Sequence, residues 1–120
     1  MTDSSVNIVM ATRARTYSTL TTEALTLLGK QVRLARKQRR MSEADLAARV
    51  GIARSTLQLI EKGDPSVVIG LAFEAAIIAG VSLFVPEATS LAAQKERVAD
   101  KLALLPRSIR RPRKEVNDDF

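Results

Sequence analysis

The chain has 120 residues, enough for one small domain with terminal extensions. Its formal net charge is +6 at pH 7, and a basic balance indicates an acidic partner such as nucleic acid, a membrane surface or an acidic protein. The sequence contains no cysteine and no histidine. This excludes disulfides, thiolate chemistry, imidazole metal sites and histidine-based acid–base catalysis.

The residue pattern predicts an all-α fold, a compact five-helix bundle with flexible tails at both ends. Aromatic residues make up only 3% of the chain, so the core has to be aliphatic, and turn signals are sparse. We divide the chain into an N-terminal arm, a helical domain, a C-terminal helix and a basic then acidic tail, at residues 1–20, 21–86, 87–105 and 106–120. Within these parts the predicted helices cover residues 22–39, 42–50, 54–62, 68–79 and 90–105.

The N-terminal arm is rich in serine and threonine and lacks helical periodicity. We interpret it as a mobile leader, or as an arm that contacts DNA or a partner through Arg13 and Arg15. The first helix that follows it carries a run of cations from Lys30 to Arg40 with no acid among them. These cations either complement the helix macrodipole or contact phosphates, and the pattern alone leaves both open.

The second and third predicted helices have clear start and stop signals. Ser42 is placed as an N-cap, with the carboxylate of Asp45 at the third helical position, as in a capping box. Gly51 ends the second helix with a residue that tolerates positive φ, and Gly63 ends the third. Two short helices joined by a tight glycine turn predict a helix-turn-helix over residues 42–63.

Residues 67–85 form a strongly apolar stretch in which Glu74 is the only charge. The stretch has about the length of a membrane span, but Glu74 lies near its middle and Gly70 and Gly80 interrupt it. We therefore predict a buried helix with an adjoining dimer surface, because large exposed apolar patches mark interfaces. The predicted dimer contacts are Val68, Leu71, Ala75, Ile78, Leu83 and Phe84.

The segment SEADLAARVGIARSTLQLIEKG, residues 42–63, resembles the helix-turn-helix of the repressor family that includes phage repressors, Cro and xenobiotic-response-element regulators. The resemblance covers residues 28–84 and is dense at 57–63, LQLIEKG. It implies a transcription repressor that binds double-stranded operator DNA as a homodimer on an inverted repeat. The absence of cysteine makes a cytoplasmic location the default expectation. Without cysteine, histidine, a glycine-rich phosphate loop or paired carboxylates, we expect no enzymatic activity, no metal and no cofactor.

In this family the N-terminal half of the third helix enters the major groove. The resemblance places Arg54, Ser55 and Gln58 toward base edges, where arginine matches guanine and glutamine matches adenine. The candidate phosphate contacts are Arg36, Lys37, Arg40, Ser42, Thr56 and Lys62.

Two positions depart from the family pattern. The family commonly has glutamine where this chain has Glu43, and a carboxylate cannot donate to phosphate. Either Glu43 turns away from DNA and stabilises the helix N-terminus, or the DNA contact differs here. The family often has serine where this chain has Ala53, which cannot cap the third helix, so the start of that helix should be weaker.

A narrower similarity links the chain to HipB-type antitoxins. It rests on Gly63-Asp64-Pro65-Ser66-Val67, on the apolar fourth helix and on the basic LPRSIR segment at 105–110. It implies autorepression and binding of a HipA-like kinase toxin. The main alternative is a stand-alone regulator of a phage or mobile element, and the neighbouring gene distinguishes the two. A protein-interaction module without DNA binding is a further alternative.

Overall fold

A computed structural model describes residues 15–84 and 90–109. These residues form five α-helices and no strand, so the predicted all-α class is confirmed. The helices are α1 Thr19–Gln38, α2 Glu43–Val50, α3 Arg54–Lys62, α4 Ile69–Ala79 and α5 Leu91–Ala103. The predicted arm before residue 15 and the predicted tail from residue 110 onward lie outside the described residues. Contacts divide the chain into two units, residues 1–83 and 84–120, and α5 belongs to the second.

The observed helix boundaries follow local capping. Helix α1 begins at Thr19 rather than Thr22, because the Ser18 hydroxyl accepts a hydrogen bond from the Thr21 backbone N–H at 3.3 Å. At the start of α2 the predicted capping box is present. Ser42 Oγ accepts from the Asp45 N–H at 3.0 Å, and Asp45 Oδ2 accepts from the Ser42 N–H at 2.9 Å. Helix α3 has the predicted bounds.

Helices α1 to α4 end in a similar way, with a left-handed residue after the last turn. At α1 the Met41 N–H reaches back to the Arg36 carbonyl at 3.0 Å, as in a Schellman motif. The left-handed residues are Gly51 (φ 86°), Gly63 (φ 80°) and Gly80 (φ 98°) after α2, α3 and α4, but Arg40 (φ 59°) after α1. A side chain in this conformation costs roughly 1–2 kcal/mol, so Arg40 places strain at the α1–α2 turn.

The core of the first unit is aliphatic, as the composition requires. Its buried residues are Val32, Met41, Leu46, Ala47, Leu57, Ile60, Ala75, Ala76, Ala79 and Leu83. The list corrects two predicted dimer contacts, since Ala75 is 0% exposed and Leu83 is 9% exposed. Both pack inside the domain. Apart from the exposed Glu74, helix α4 consists of apolar residues and glycine, so hydrophobic periodicity could not separate its inner face from its outer face.

Helix α1 crosses the C-terminal end of α3 at backbone contact distance. A Cβ added at Gly29 of α1 would lie 2.6 Å from the carbonyl oxygens of both Ile60 and Glu61. A Cβ at Gly63 would lie 2.8 Å from the N and Cα atoms of Thr26. These two glycines therefore allow α1 to pack closely against the C-terminal end of α3. The N-terminal half of α3 stays at the surface.

Candidate nucleic-acid interface

The third helix divides into a buried face and an exposed N-terminal half. Leu57 and Ile60 point into the core, whereas Arg54 and Ser55 are exposed and Gln58 is half-buried. Arg54 and Gln58 are four residues apart, which places them on one side of the helix. All three residues predicted to face base edges thus have surface exposure. Ala53 is the N-cap residue of α3 and makes no side-chain hydrogen bond to the helix.

A single carboxylate joins the two longest of these side chains. Glu43, the first residue of α2, accepts with Oε1 from Arg54 Nε at 2.8 Å and from Gln58 Nε2 at 3.0 Å. Two hydrogen bonds lower the pKa of the Glu43 carboxyl below its ordinary value. The one from Gln58 has the larger effect, and the one from Arg54 is next. The carboxylate therefore stays ionised at neutral pH. The Glu43 side chain is therefore hydrogen-bonded to α3, in addition to lying at the N-terminus of its own helix.

Arg36 does not have the surface position that the cationic run suggested. It is 6% exposed, and its Nε and Nη2 atoms donate to Glu61 at 2.7 Å and 3.0 Å. Its Nη1 atom donates to the Met41 carbonyl at 3.1 Å. The hydrogen bond to Glu61 raises the pKa of Arg36 further. Nε, Nη1 and Nη2 of Arg36 all donate inside the domain, and the residue is buried. Its prediction as a phosphate contact is therefore wrong.

The remaining predicted phosphate contacts are at or near the surface. Lys37, Arg40, Ser42 and Lys62 are exposed and Thr56 is half-buried. Ser42 uses its oxygen as an acceptor in the capping box, which leaves its O–H free to donate. These residues lie at the end of α1, the start of α2 and along α3. They supply hydroxyl donors and, from Lys37, Arg40 and Lys62, positive charge.

Two exposed apolar surfaces lie elsewhere on the first unit. On α1, leucines at a seven-residue spacing are exposed: Leu20 (77%), Leu27 (58%) and Leu34 (58%). At α4 the exposed residues are Val68 (67%), Ile69 (68%) and Ile77 (53%), whereas the predicted contacts Leu71 and Ile78 are half-buried. The exposed α1 leucines were not predicted, because the inward-facing residues of that helix follow a separate helical spacing. The heptad spacing of the leucines was the available signal.

The second unit contains α5, which has no buried residue. The apolar side of α5 and Phe84 line an open depression of about 570 Å³. Its apolar lining residues are Phe84, Leu91, Val98, Ala99 and Leu102. Phe84, one of the predicted dimer contacts, is 79% exposed. Within the described residues we find no helix long and apolar enough to cross a membrane, and no cluster of metal-ligating side chains.

Two short helices joined at Gly51, the second of which starts with exposed polar side chains, form a helix-turn-helix, the arrangement that many DNA-binding domains use. Residues 32–83 match a family model described as Helix-turn-helix, of the Cro/C1 type. The match indicates a helix-turn-helix of a DNA-binding regulator over these residues. Comparisons with curated proteins and with solved structures gave no match.

Proposed function

We propose that the protein is a cytoplasmic, sequence-specific transcription repressor that binds an inverted-repeat operator as a homodimer. We further propose that it is the antitoxin of a HipBA-like operon. The observation that carries DNA recognition is the exposed N-terminal half of α3, which presents Arg54, Ser55 and Gln58 inside the matched helix-turn-helix segment. A protein-interaction module has no need of such a polar helix start beside exposed cations.

Base readout is proposed for Arg54 and Gln58, with Ser55 beside them. The guanidinium of Arg54 matches the O6 and N7 acceptors of guanine, and the amide of Gln58 matches adenine. A two-fold dimer presents this face twice, so half-sites about 34–36 Å apart, one turn of B-DNA, are expected.

Phosphate contacts are proposed for Lys37, Arg40 and Lys62, with Ser42 and Thr56 as hydroxyl donors. Each neutralised phosphate releases counterions, so the plot of log K against log salt steepens by about 0.9 per contact. Such contacts set the register of the domain on DNA and do not read sequence.

A binding selection on randomised DNA with the full chain tests this function. Arg54→Ala and Gln58→Ala should each relax preference at symmetric positions of the operator. Lys62→Ala should weaken binding to all sequences alike and flatten the salt slope by about one unit. If the wild-type chain selects no sequence, the proposal is wrong. If both α3 variants retain the wild-type preference, base readout lies elsewhere.

Dimerisation is supported by the exposed apolar residues of α4 and its N-cap, Val68, Ile69 and Ile77. We propose this surface for the two-fold contact in place of the buried Ala75 and Leu83. Phe84, in the second unit, stays a separate predicted contact. The leucines of α1 offer a second surface. Light scattering measures the molar mass of the Ile77→Lys and Leu27→Lys variants. Only a substitution in the dimer interface yields monomers, so the comparison identifies which of the two surfaces forms the dimer. A wild-type monomer at micromolar concentration would contradict the dimer.

The antitoxin role is supported by the second unit. Helix α5 exposes Leu91, Val98 and Leu102 without burying any residue, which is more apolar surface than DNA binding requires. A HipA-like kinase is the proposed partner. Co-expression with the neighbouring gene, followed by co-purification, tests this role, and Val98→Glu should weaken the complex. If no protein is retained, the stand-alone regulator is the better description.

A further inference from the structure

The two side chains proposed to read bases share one acceptor atom, Oε1 of Glu43. We propose that Glu43 is a positioning residue that determines operator specificity. It holds Arg54 and Gln58 in one orientation and disfavours DNA that lacks the matching bases. This inference rests on the proposed function, because it concerns the same DNA-binding face.

The contact with Glu43 restricts what Arg54 can bind. Its Nε atom donates to the carboxylate at 2.8 Å, so the outer edge of the guanidinium, with Nη1 and Nη2, is the part left for DNA. That edge presents two parallel donors, which fit the O6 and N7 acceptors of guanine. The Arg54 side chain is 66% exposed, and an untethered arginine there would also reach nearby phosphates. The tether therefore favours base contact over phosphate contact.

The same carboxylate orients the amide of Gln58. An ionised carboxylate only accepts hydrogen bonds, so the amide nitrogen of Gln58 has to face Glu43, as the 3.0 Å contact shows. The amide oxygen and the second N–H remain for DNA. One acceptor and one donor side by side match the N6 and N7 atoms of adenine.

Glu43 also acts on DNA through its charge. Its side chain is 29% exposed at the start of α2, beside the proposed phosphate contact Ser42. A carboxylate in this position repels phosphates of any sequence. Bases that match the oriented Arg54 and Gln58 offset the repulsion, whereas other bases do not. Specificity arises in part from this repulsive element.

The test compares wild type, Glu43→Gln and the matched control Glu23→Gln in the full chain. Glu23 is an exposed carboxylate on α1, so the control removes the same charge away from the α2–α3 contact. Binding to operator and to random DNA is measured, and the selected sequences are compared position by position. We expect Glu43→Gln to bind random DNA about tenfold more tightly and to lose about tenfold of its discrimination at the base pairs read by Arg54 and Gln58. Glu23→Gln should retain the discrimination of wild type.

A double-variant cycle separates positioning from simple charge. If Glu43 acts through Arg54, the effect of Glu43→Gln at the Arg54 base pair should vanish in an Arg54→Ala background. An equal rise in affinity for all sequences, with unchanged preference, would overturn the inference and leave Glu43 as a charge only. Loss of preference at a separate cytosine, with the other positions retained, would also overturn it, because Glu43 would then contact a base itself. Neither result affects the proposed sequence-specific DNA binding, which is wrong if wild type selects no sequence.

Discussion

Arg36 of α1 and Glu61 of α3 form a buried ion pair, with Nε 2.7 Å from Oε2 and Nη2 3.0 Å from Oε1. The pair bridges the same two helices whose backbones meet at Gly29. The remaining nitrogen of the guanidinium, Nη1, donates to the Met41 carbonyl and so also stabilises the turn that leads into α2. A cation from the basic run of α1 thus fixes α3, the helix proposed to read DNA.

The first prediction concerns this pair. Arg36→Ala leaves the Glu61 carboxylate buried without a partner and should cost about 3–5 kcal/mol of unfolding free energy. The double variant Arg36→Met/Glu61→Leu should recover most of the loss, because no unpaired charge then remains. Urea unfolding followed by circular dichroism measures both. The double variant should also keep the wild-type salt slope of DNA binding. A slope flatter by about 0.9 would return Arg36 to the phosphate contacts.

The second prediction concerns the close crossing of α1 and α3. Gly29→Ala places a methyl group 2.6 Å from two backbone carbonyl oxygens, so the helices have to separate. Overpacking of this kind costs about 1–3 kcal/mol. Gly70→Ala in α4 is the matched control, because nothing lies within 4 Å of its added Cβ. There we expect a gain of up to about 1 kcal/mol from helix propensity. Equal effects of the two substitutions on the urea midpoint would contradict the close crossing.

The third prediction separates strain from charge at Arg40. Arg40→Gly removes a side chain from the left-handed conformation (φ 59°) and should stabilise the fold by about 1 kcal/mol. It should also flatten the salt slope of DNA binding by about 0.9, because a phosphate contact is lost. Arg40→Ala removes the same charge but keeps a Cβ, so it should flatten the slope equally without stabilising the fold. If Arg40→Ala proves as stable as Arg40→Gly, the strain is not real.

The fourth prediction supplies the missing cap of α3. Ala53 occupies the N-cap position with extended backbone (φ −71°, ψ 151°) and makes no side-chain hydrogen bond to the helix. Ala53→Ser should provide that acceptor and stabilise the fold by about 1 kcal/mol. Ala48→Ser, at an exposed position within α2, is the control and should be slightly destabilising, since serine is a weaker helix former than alanine. Thermal unfolding of the two variants beside wild type gives the comparison.

Local signals in the sequence determined where helices α2 and α3 of the first unit begin and end. The Ser42–Asp45 capping box and the glycines after α2 and α3 act over a few residues, through hydrogen bonds that one turn of backbone can make. Their effect is therefore readable without knowledge of the rest of the chain. The same holds for the exposed start of α3, because the turn at Gly51 and the apolar spacing of Leu57 and Ile60 together set which side faces out.

Only the tertiary structure decided which of two similar residues in the same segment is buried and which is exposed. Arg36 and Lys37 are neighbours in one cationic run, yet Arg36 is buried against Glu61, 25 residues away, while Lys37 remains exposed. Ala75 and Ile77 lie in one apolar helix, but Ala75 enters the core and Ile77 stays at the surface. Glu43 of α2 reaches Arg54 and Gln58 because α2 packs against α3. Such outcomes depend on contacts between segments distant in sequence, and the spacing of residues within one helix does not by itself identify the partner of a side chain.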